Sequence, residues 1–258
     1  MVLKSSMIAM YTKEITSLQH PIVKHLVKLR KNREYREEKG TLLLEGKKMV
    51  EEYQGPIETL LTTHPSLLQA KNHYLITPAI LEKISGSSNP EPYLAEVPLP
   101  SFQSLKGKTC LLALDEIRDP GNLGTLLRTA LALGFEGVFL TEGCADPYGD
   151  KALRAAKGAT FHLPLQKGTV HELSLFIQEN GLTPYVADPQ GTPHPSFTSP
   201  LILILGNEAH GPSAPIKKQG TLLSIPLSAQ TESLNVAVAG GILMHKIRET
   251  LCQSSTTI

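Results

Sequence analysis

Apolar residues recur along this chain in two rhythms, and the contrast between them predicts its architecture. Short unbroken runs appear at Thr109–Asp115, Gly137–Thr141, Leu201–Leu205 and Leu222–Ile225. Runs apolar at both parities predict strands buried on both faces, as in a parallel sheet. Between them lie longer stretches at helical spacing. Leu123, Leu126, Leu127, Ala130, Leu131 and Leu133 predict a helix over Leu123–Leu133 that Asn122 can cap and Gly134 stops. Further helices are predicted at Asp150–Lys157, Val170–Glu179 and Leu234–Glu249, with lesser strands at Phe161–Pro164 and Tyr185–Ala187. The alternation predicts an α/β fold, a parallel sheet with helices on both faces.

The front of the chain has the same vocabulary in smaller pieces. Pro21 suits a first helical position, and Ile22, Val23, Leu26 and Leu29 follow at helical spacing within Ile15–Lys39. A strand is predicted at Thr41–Leu44, a helix at Lys47–Tyr53 and a strand at Pro56–Thr62; Tyr74–Ile76 and Pro78–Ile84 repeat the pattern. Ser85–Lys108 is rich in proline and lacks a helical period, although Tyr93–Val97 reads as a last strand. The boundaries that follow are a small α/β domain over 10–100, a linker over 101–108 and a larger domain over 109–258.

A length of 258 residues accommodates two domains, and 41% hydrophobic residues with 19% charged supply ordinary cores. The net charge of +1 conceals an asymmetry. Residues 1–50 hold eleven Lys and Arg against five Glu, an excess of six, so the remainder carries −5. Lys24, Lys28, Lys31 and Arg33 lie off the apolar stripe of the first helix, which points to an extended anionic partner there. A solvated helix face is the bland alternative. Cys110, Cys144 and Cys252 are far apart, with no spacing for zinc or a disulfide framework. No apolar run approaches a membrane span, and Met1–Met10 has too short an apolar core for a signal peptide, so the chain reads as cytoplasmic.

Chemistry is concentrated where the strands end. Leu201–Gly211 (LILILGNEAHG) carries a buried strand into Gly-Asn-Glu, delivering polar groups to the carboxyl edge of a sheet. The Gly121–Gly124 turn matches neither the dinucleotide fingerprint nor the P-loop, and a helix cap explains it equally well. Arg128 sits on an otherwise apolar helix. Either its stem packs on the core while its head reaches water, or its guanidinium is aimed at a phosphate or a developing oxyanion. Glu208 and Asn235 point into a cleft or serve as caps and loop ligands.

Three segments, Asp115–Thr129 (DEIRDPGNLGTLLRT), Leu205–Gly211 (LGNEAHG) and Ile225–Ala237 (IPLSAQTESLNVA), resemble in sequence and order the motifs of the SpoU (TrmH-like) family of RNA ribose 2′-O-methyltransferases, in the SPOUT superfamily. Arg154–Pro164 is similar to that family's linking segment, and the likeness covers nearly all of 111–247. The front stretch is similar to the ribosomal-protein-L30e-like RNA-binding domain attached to many members acting on ribosomal RNA. The resemblance implies a deep trefoil knot at the C-terminal end, a topology that general connection rules do not produce. It implies S-adenosylmethionine as cofactor, bound by Ala187, Leu205, Gly206, Asn207, Gly211, Ile225, Leu227 and Leu234, with no metal. It implies Arg128, Asn122, Glu208, Ser233 and Asn235 as catalytic-site residues, and a homodimer in which Arg128 of one chain approaches the pocket of the other.

Guanidinium stays protonated to above about pH 12, so Arg128 is expected to hold the target phosphate and stabilise alkoxide rather than act as a base. Asn122 and Asn235 are expected to position Arg128 and the ribose, and Glu208 to fix the loop or the arginine. Two departures from the family pattern bear on loop shape: His210 with Pro212 in the second motif, and Ala156-Lys157 in the linking segment. The basic front domain favours 23S-type ribosomal RNA as substrate. A tRNA substrate and a non-catalytic RNA-binding protein retaining the fold are the alternatives.

Overall fold

A computed structural model describes residues 12–193, 196–230 and 233–254. The segment Met1–Met10 and Glu232 lie outside the described residues. The chain divides into two compact units, one comprising residues up to Pro100 with Tyr148–Arg154, the other Ser101–Pro147 with the chain from Ala155 onward.

The first unit has a five-stranded sheet of β1 (Thr12–Ile15), β2 (Thr41–Glu45), β3 (Thr59–Thr62), β4 (Asn72–Ile76) and β5 (Tyr93–Pro98) in the order β1-β4-β3-β5-β2. β1, β4 and β3 are parallel, and β5 runs antiparallel to both β3 and β2. The helix predicted over Ile15–Lys39 is two helices, α1 (Pro21–Lys31) and α2 (Arg33–Lys39), broken at Asn32, whose side chain caps the second. Pro21 occupies the first turn of α1 and His20 is its N-cap. Val23, Leu26 and Leu29 are fully buried against Leu43, Leu61, Ile80 and Leu94. Helices α3 (Lys47–Glu52) and α4 (Pro78–Ser85) also belong to this unit.

The second unit is a six-stranded, wholly parallel sheet, β11-β9-β10-β6-β7-β8. Its strands are β6 (Cys110–Asp115), β7 (Gly137–Thr141), β8 (Leu165–Gly168), β9 (Thr183–Thr192), β10 (Leu201–Gly206) and β11 (Thr221–Leu223). Every residue of β6, β7 and β10 is buried, which is why their sequences are unbroken apolar runs. The helices that follow Pro100 are α5 (Pro120–Ala132), α6 (Asp150–Ala156), whose residues through Arg154 belong to the first unit, α7 (Val170–Glu179), α8 (Ala214–Lys217) and α9 (Val236–Ser254). Ile202 and Ile204 of β10 pack with Leu173, Phe176 and Ile177 of α7 and Ile216 of α8. On the other face α5 packs on α9, where a Cβ on Gly240 would stand 2.4 Å from Leu126 Cδ2 and 2.6 Å from Leu205 Cδ1. The glycine is what lets α9 lie so close to both α5 and β10.

Several boundaries differ from the sequence reading for local reasons. Asp119, not Asn122, caps α5, because Pro120 takes the first helical position and places the cap one residue earlier. The strand predicted at Phe161–Pro164 is instead a 3₁₀ turn at Ala159–Phe161, and the chain enters the sheet only at Leu165. Strand β9 extends five residues past Ala187, and β11 ends at Leu223, before Ile225. Strand β1 and helix α8 are four residues each, too short for a periodic signal.

Candidate active site

The carboxyl ends of β9, β10 and β11 enclose a cavity of about 690 Å³. Its apolar wall includes Leu205, Ile225, Leu227, Leu234, Ala239 and Leu243. All eight residues expected to hold a cofactor line it: Ala187, Leu205, Gly206, Asn207, Gly211, Ile225, Leu227 and Leu234. Glu208 and Ser233 line it too, whereas Asn122, Arg128 and Asn235 do not.

A chain of side-chain hydrogen bonds joins the first and third motifs to this cavity. Asn235 Nδ2 donates to Asn122 Oδ1 at 3.0 Å, and Asn122 Nδ2 donates to Glu208 Oε1 at 3.1 Å. The last carboxylate is on the cavity wall. Because Asp119 does the capping, the amide of Asn122, within the first turn of α5, is free for this relay. Asn235 Oδ1 accepts from the backbone N–H groups of Ala237 and Val238, fixing its orientation at the start of α9. Each amide therefore presents its donor along the chain toward Glu208.

The 206–213 loop between the strand end and α8 is held from several sides. Asn207 Nδ2 donates to the Glu116 carbonyl at 3.0 Å, and Asn207 Oδ1 accepts from Ala209 and His210 N–H. Asp115, only 2% exposed, accepts from Thr141 Oγ1 and from the Ser213 N–H at 2.8 Å, tying β6, β7 and this loop together. Glu116 has φ +57°, a left-handed conformation unusual for a residue with a side chain; its N–H bond to Thr141 Oγ1 and the Asn207 contact hold it there.

A charge pair that the sequence did not announce crosses the cavity wall. Asp188, 7% exposed, lies 2.7 Å from Lys217 Nζ. Burial alone pushes the Asp188 pKa up, but the Lys217 ammonium and the Gln190 N–H together hold it below the usual aspartate value. Lys217 ends a one-turn helix and is followed by Lys218 at its C-cap, with no periodic context to single it out.

Arg128 is exposed on α5, and no hydrogen bond or ion pair among the described residues involves it. Within one chain, Asn122, Asn235 and Glu208 bond to one another and not to Arg128. In the first unit Lys24, Lys28 and Lys31 are exposed along α1, with Lys28 Nζ 4.1 Å from the Tyr35 ring centroid. Arg33 instead pairs with Glu37 one turn on, at 2.8 Å. Arg36, also basic, is buried and donates to the Leu29 and Arg30 carbonyls at the end of α1, a structural duty.

The chain has known relatives in sequence and in fold. The chain is 35% identical to an uncharacterized tRNA/rRNA methyltransferase of Synechocystis, over 94% of this chain and 96% of that one. It is 33% identical to the 23S rRNA (guanosine(2553)-2′-O)-methyltransferase of Bacillus subtilis, over 92% and 99% respectively. The AdoMet-bound rRNA methyltransferase of Sinorhizobium meliloti superposes with a TM-score of 0.83 at 26% identity, covering 93% of this chain and 99% of that one. Residues 20–95 match the MRM3-like substrate binding domain, and residues 109–245, the unit that carries the cavity and the Asn-Asn-Glu relay, match the SpoU rRNA Methylase family, to which this chain belongs.

Proposed function

We infer that the protein transfers a methyl group from S-adenosylmethionine to a ribose 2′-hydroxyl of 23S-type ribosomal RNA. The observation that carries this reading is the Asn235–Asn122–Glu208 relay ending on the wall of a 690 Å³ cavity. That volume is within the roughly 300–1,000 Å³ of small-molecule sites. The apolar wall suits an adenine ring, backbone at Gly206, Ile225 and Leu234 is within the lining for polar contacts, and the buried Asp188 carboxylate suits a cationic cofactor. When bound, S-adenosylmethionine supplies a methyl group on a positively charged sulfur that leaves as a neutral thioether.

The chain's own residues supply alignment and charge. An in-line displacement gains most from holding the attacking oxygen in place. The relay presents a carboxylate of fixed orientation at the point where a ribose meets the cavity. Arg128, charged at every relevant pH, holds the neighbouring phosphate and stabilises the alkoxide as it develops, with the proton passing to solvent.

Arg128 does so from a second copy of the chain. Supporting that reading, Val238 and Ile242, one turn apart on α9, are 51% and 43% exposed, an apolar stripe of the kind a helix interface covers. The trefoil knot belongs to the same proposal, as does Lys24–Lys31 as the RNA-facing edge of the first unit. No described helix is long and apolar enough to cross a membrane, and a cytoplasmic location belongs to the same proposal.

Isothermal titration with S-adenosylmethionine, followed by labelled methyl transfer to total rRNA and total tRNA, tests this. Cofactor binding with label in rRNA is expected. Label confined to tRNA overturns the substrate, and a folded protein that binds no cofactor overturns the enzyme.

A further inference from the structure

The methyl transfer inferred above leaves one proton to place, because the 2′-hydroxyl must give up its hydrogen as its oxygen takes the methyl group. Among the described residues lining the cofactor cavity, four side chains can carry charge: Asp188, Glu208, His210 and Lys217. Three are engaged. Asp188 and Lys217 form an ion pair at 2.7 Å, and Asp188 also accepts from the Gln190 N–H. Glu208 Oε1 accepts from Asn122 Nδ2 at the end of the relay. Arg128 is outside the lining, and a guanidinium keeps its proton. His210 is the fourth: its backbone N–H bonds Asn207 Oδ1, while its ring makes no hydrogen bond or ion pair among the described residues.

The loop carries His210 to a wall with two sides. Gly211 N–H donates to the Asn207 carbonyl, and Ala209 and His210 N–H donate to Asn207 Oδ1, so residues 207–211 close into a tight turn. Glu208, Ala209 and His210 are the exposed residues at its tip. Beyond the turn is a second cavity of about 380 Å³, whose lining includes Asp115, Glu116 and Lys217, and His210 lines both cavities. A proton acceptor needs access to the reacting oxygen and a route to water. An imidazole can serve both, accepting at one ring nitrogen while the other donates, and it ordinarily changes charge between about pH 5 and 8.

We propose that His210 is the general base of the methyl transfer. Its bare ring nitrogen takes the proton of the 2′-hydroxyl while the oxygen's electron pair forms the new bond to the methyl carbon. The carbon–sulfur bond breaks with its electrons going to sulfur, so one cation, the sulfonium, is exchanged for another, the imidazolium. His210 then returns the proton to water on the side of the second cavity. Glu208 keeps its part in aligning the ribose, and Arg128 in holding the phosphate. The assignment rests on the ribose-methylation reading and adds the group through which its proton reaches solvent. The other charged groups on these two walls are Asp115 and Glu116 at the end of β6, Asp188 on β9, Glu208 on the turn itself and Lys217 on α8. Carboxyl and ammonium groups ordinarily titrate near about pH 4 and above about pH 10, so a rate limb close to neutrality separates the imidazole from them.

The test uses the full chain with ribosomal RNA, in single turnovers at saturating cofactor from about pH 5.5 to 9, and the variants His210→Gln, His210→Ala and Glu208→Gln. The rate of the unaltered protein should rise with pH through neutrality and then level. His210→Gln should lower the maximal rate about 10²- to 10⁴-fold and lose that limb. Its half-saturating RNA concentration and its affinity for S-adenosylmethionine should be unchanged. His210→Ala should regain rate with added imidazole, in proportion to the unprotonated fraction, which a merely structural role would not produce. A maximal rate within about threefold of the unaltered protein's, or a pH profile that His210→Gln does not alter, overturns the proposal. A limb kept by His210→Gln and lost in Glu208→Gln gives the role to Glu208. Weaker RNA binding at an unchanged maximal rate makes His210 an RNA contact instead, and lost cofactor binding in the folded variant makes it a cofactor contact; either overturns the proposal. An unaltered protein that methylates no RNA defeats the parent reading itself, an outcome distinct from these.

Discussion

Gly206 ends β10 and begins the loop that lines the cavity, and its replacement by alanine gives a quantitative expectation. A Cβ at this position would lie 2.0 Å from Pro212 N, 2.3 Å from Pro212 Cα and 2.4 Å from Gly211 C, all backbone atoms, where real Cβ contacts essentially never fall under 3.0 Å. The loop must therefore retreat by about 1 Å, since no side chain is available to swing aside. Five hydrogen bonds resist that movement: Gly211 N–H to Asn207 O, Asn207 Nδ2 to Glu116 O, Ala209 and His210 N–H to Asn207 Oδ1, and Ser213 N–H to Asp115 Oδ2. Each is worth about 1 kcal/mol net. Losing two or three disfavours the binding arrangement by about 2–3 kcal/mol, which lowers cofactor affinity by about 30- to 150-fold. Isothermal titration of Gly206→Ala with S-adenosylmethionine reads this, with circular dichroism confirming a folded protein. Affinity within threefold of the unaltered protein would refute the steric argument. Gly211→Ala is the contrasting case: its nearest neighbour is Lys217 Nζ at 3.6 Å, so there is room, but φ is +68° and the conformational cost is about 1–2 kcal/mol. Gly211→Asn, which tolerates that conformation better, should lose less.

Arg128→Ala should abolish methyl transfer while leaving cofactor affinity unchanged, since Arg128 is exposed and outside the cavity lining; lost cofactor binding in a folded variant contradicts that division of roles. Because the Asp188 pKa is depressed in the folded protein, its contribution is fully present above the ordinary value of 3.8 and fades as pH falls through its lower native value. Cofactor affinity should accordingly hold from neutrality down to about pH 4, with an acid loss below it that Asp188→Asn lacks and a weaker affinity for that variant throughout. Replacing Lys24, Lys28 and Lys31 together by alanine should flatten the salt dependence of RNA binding, whereas Arg33→Ala, already neutralised by Glu37, should change it little. Burial raises the Cys110 and Cys144 thiol pKa values to about 11, so both should react slowly with a disulfide reagent at pH 8 in the native protein and quickly once it is unfolded.

What could be read from the chain followed from periodicity and from ordered motifs. The strands β6, β7 and β10 were legible because burial on both faces demands unbroken apolar runs, and α7 because Asn180-Gly181 marks its end; the capping box at its start shows only in the structure. Asn122, Glu208 and Asn235 were singled out by motif, but their relay links residues 86 and 113 positions apart, which only the parallel topology brings together. The capping error at Asn122 had a visible remedy, since Pro120 marks the first helical residue and Asp119 precedes it. Phe161–Pro164 misled because an apolar run alone does not distinguish a strand from a packed turn, whereas the half-polar edge strand at Leu165–Gly168 gives almost no signal. Lys217 carried none at all. Neither did the left-handed Glu116, a conformation that sequence rules assign to glycine.

The central claim is that the methyl group arrives on a ribose oxygen rather than on a base. A 2′-O-methyl group removes the hydroxyl that alkali needs to cleave the adjacent phosphodiester. Ribosomal RNA labelled by this protein with isotopic S-adenosylmethionine should therefore release its label in alkali-resistant dinucleotides. Label recovered in mononucleotides, on a base, would contradict the account.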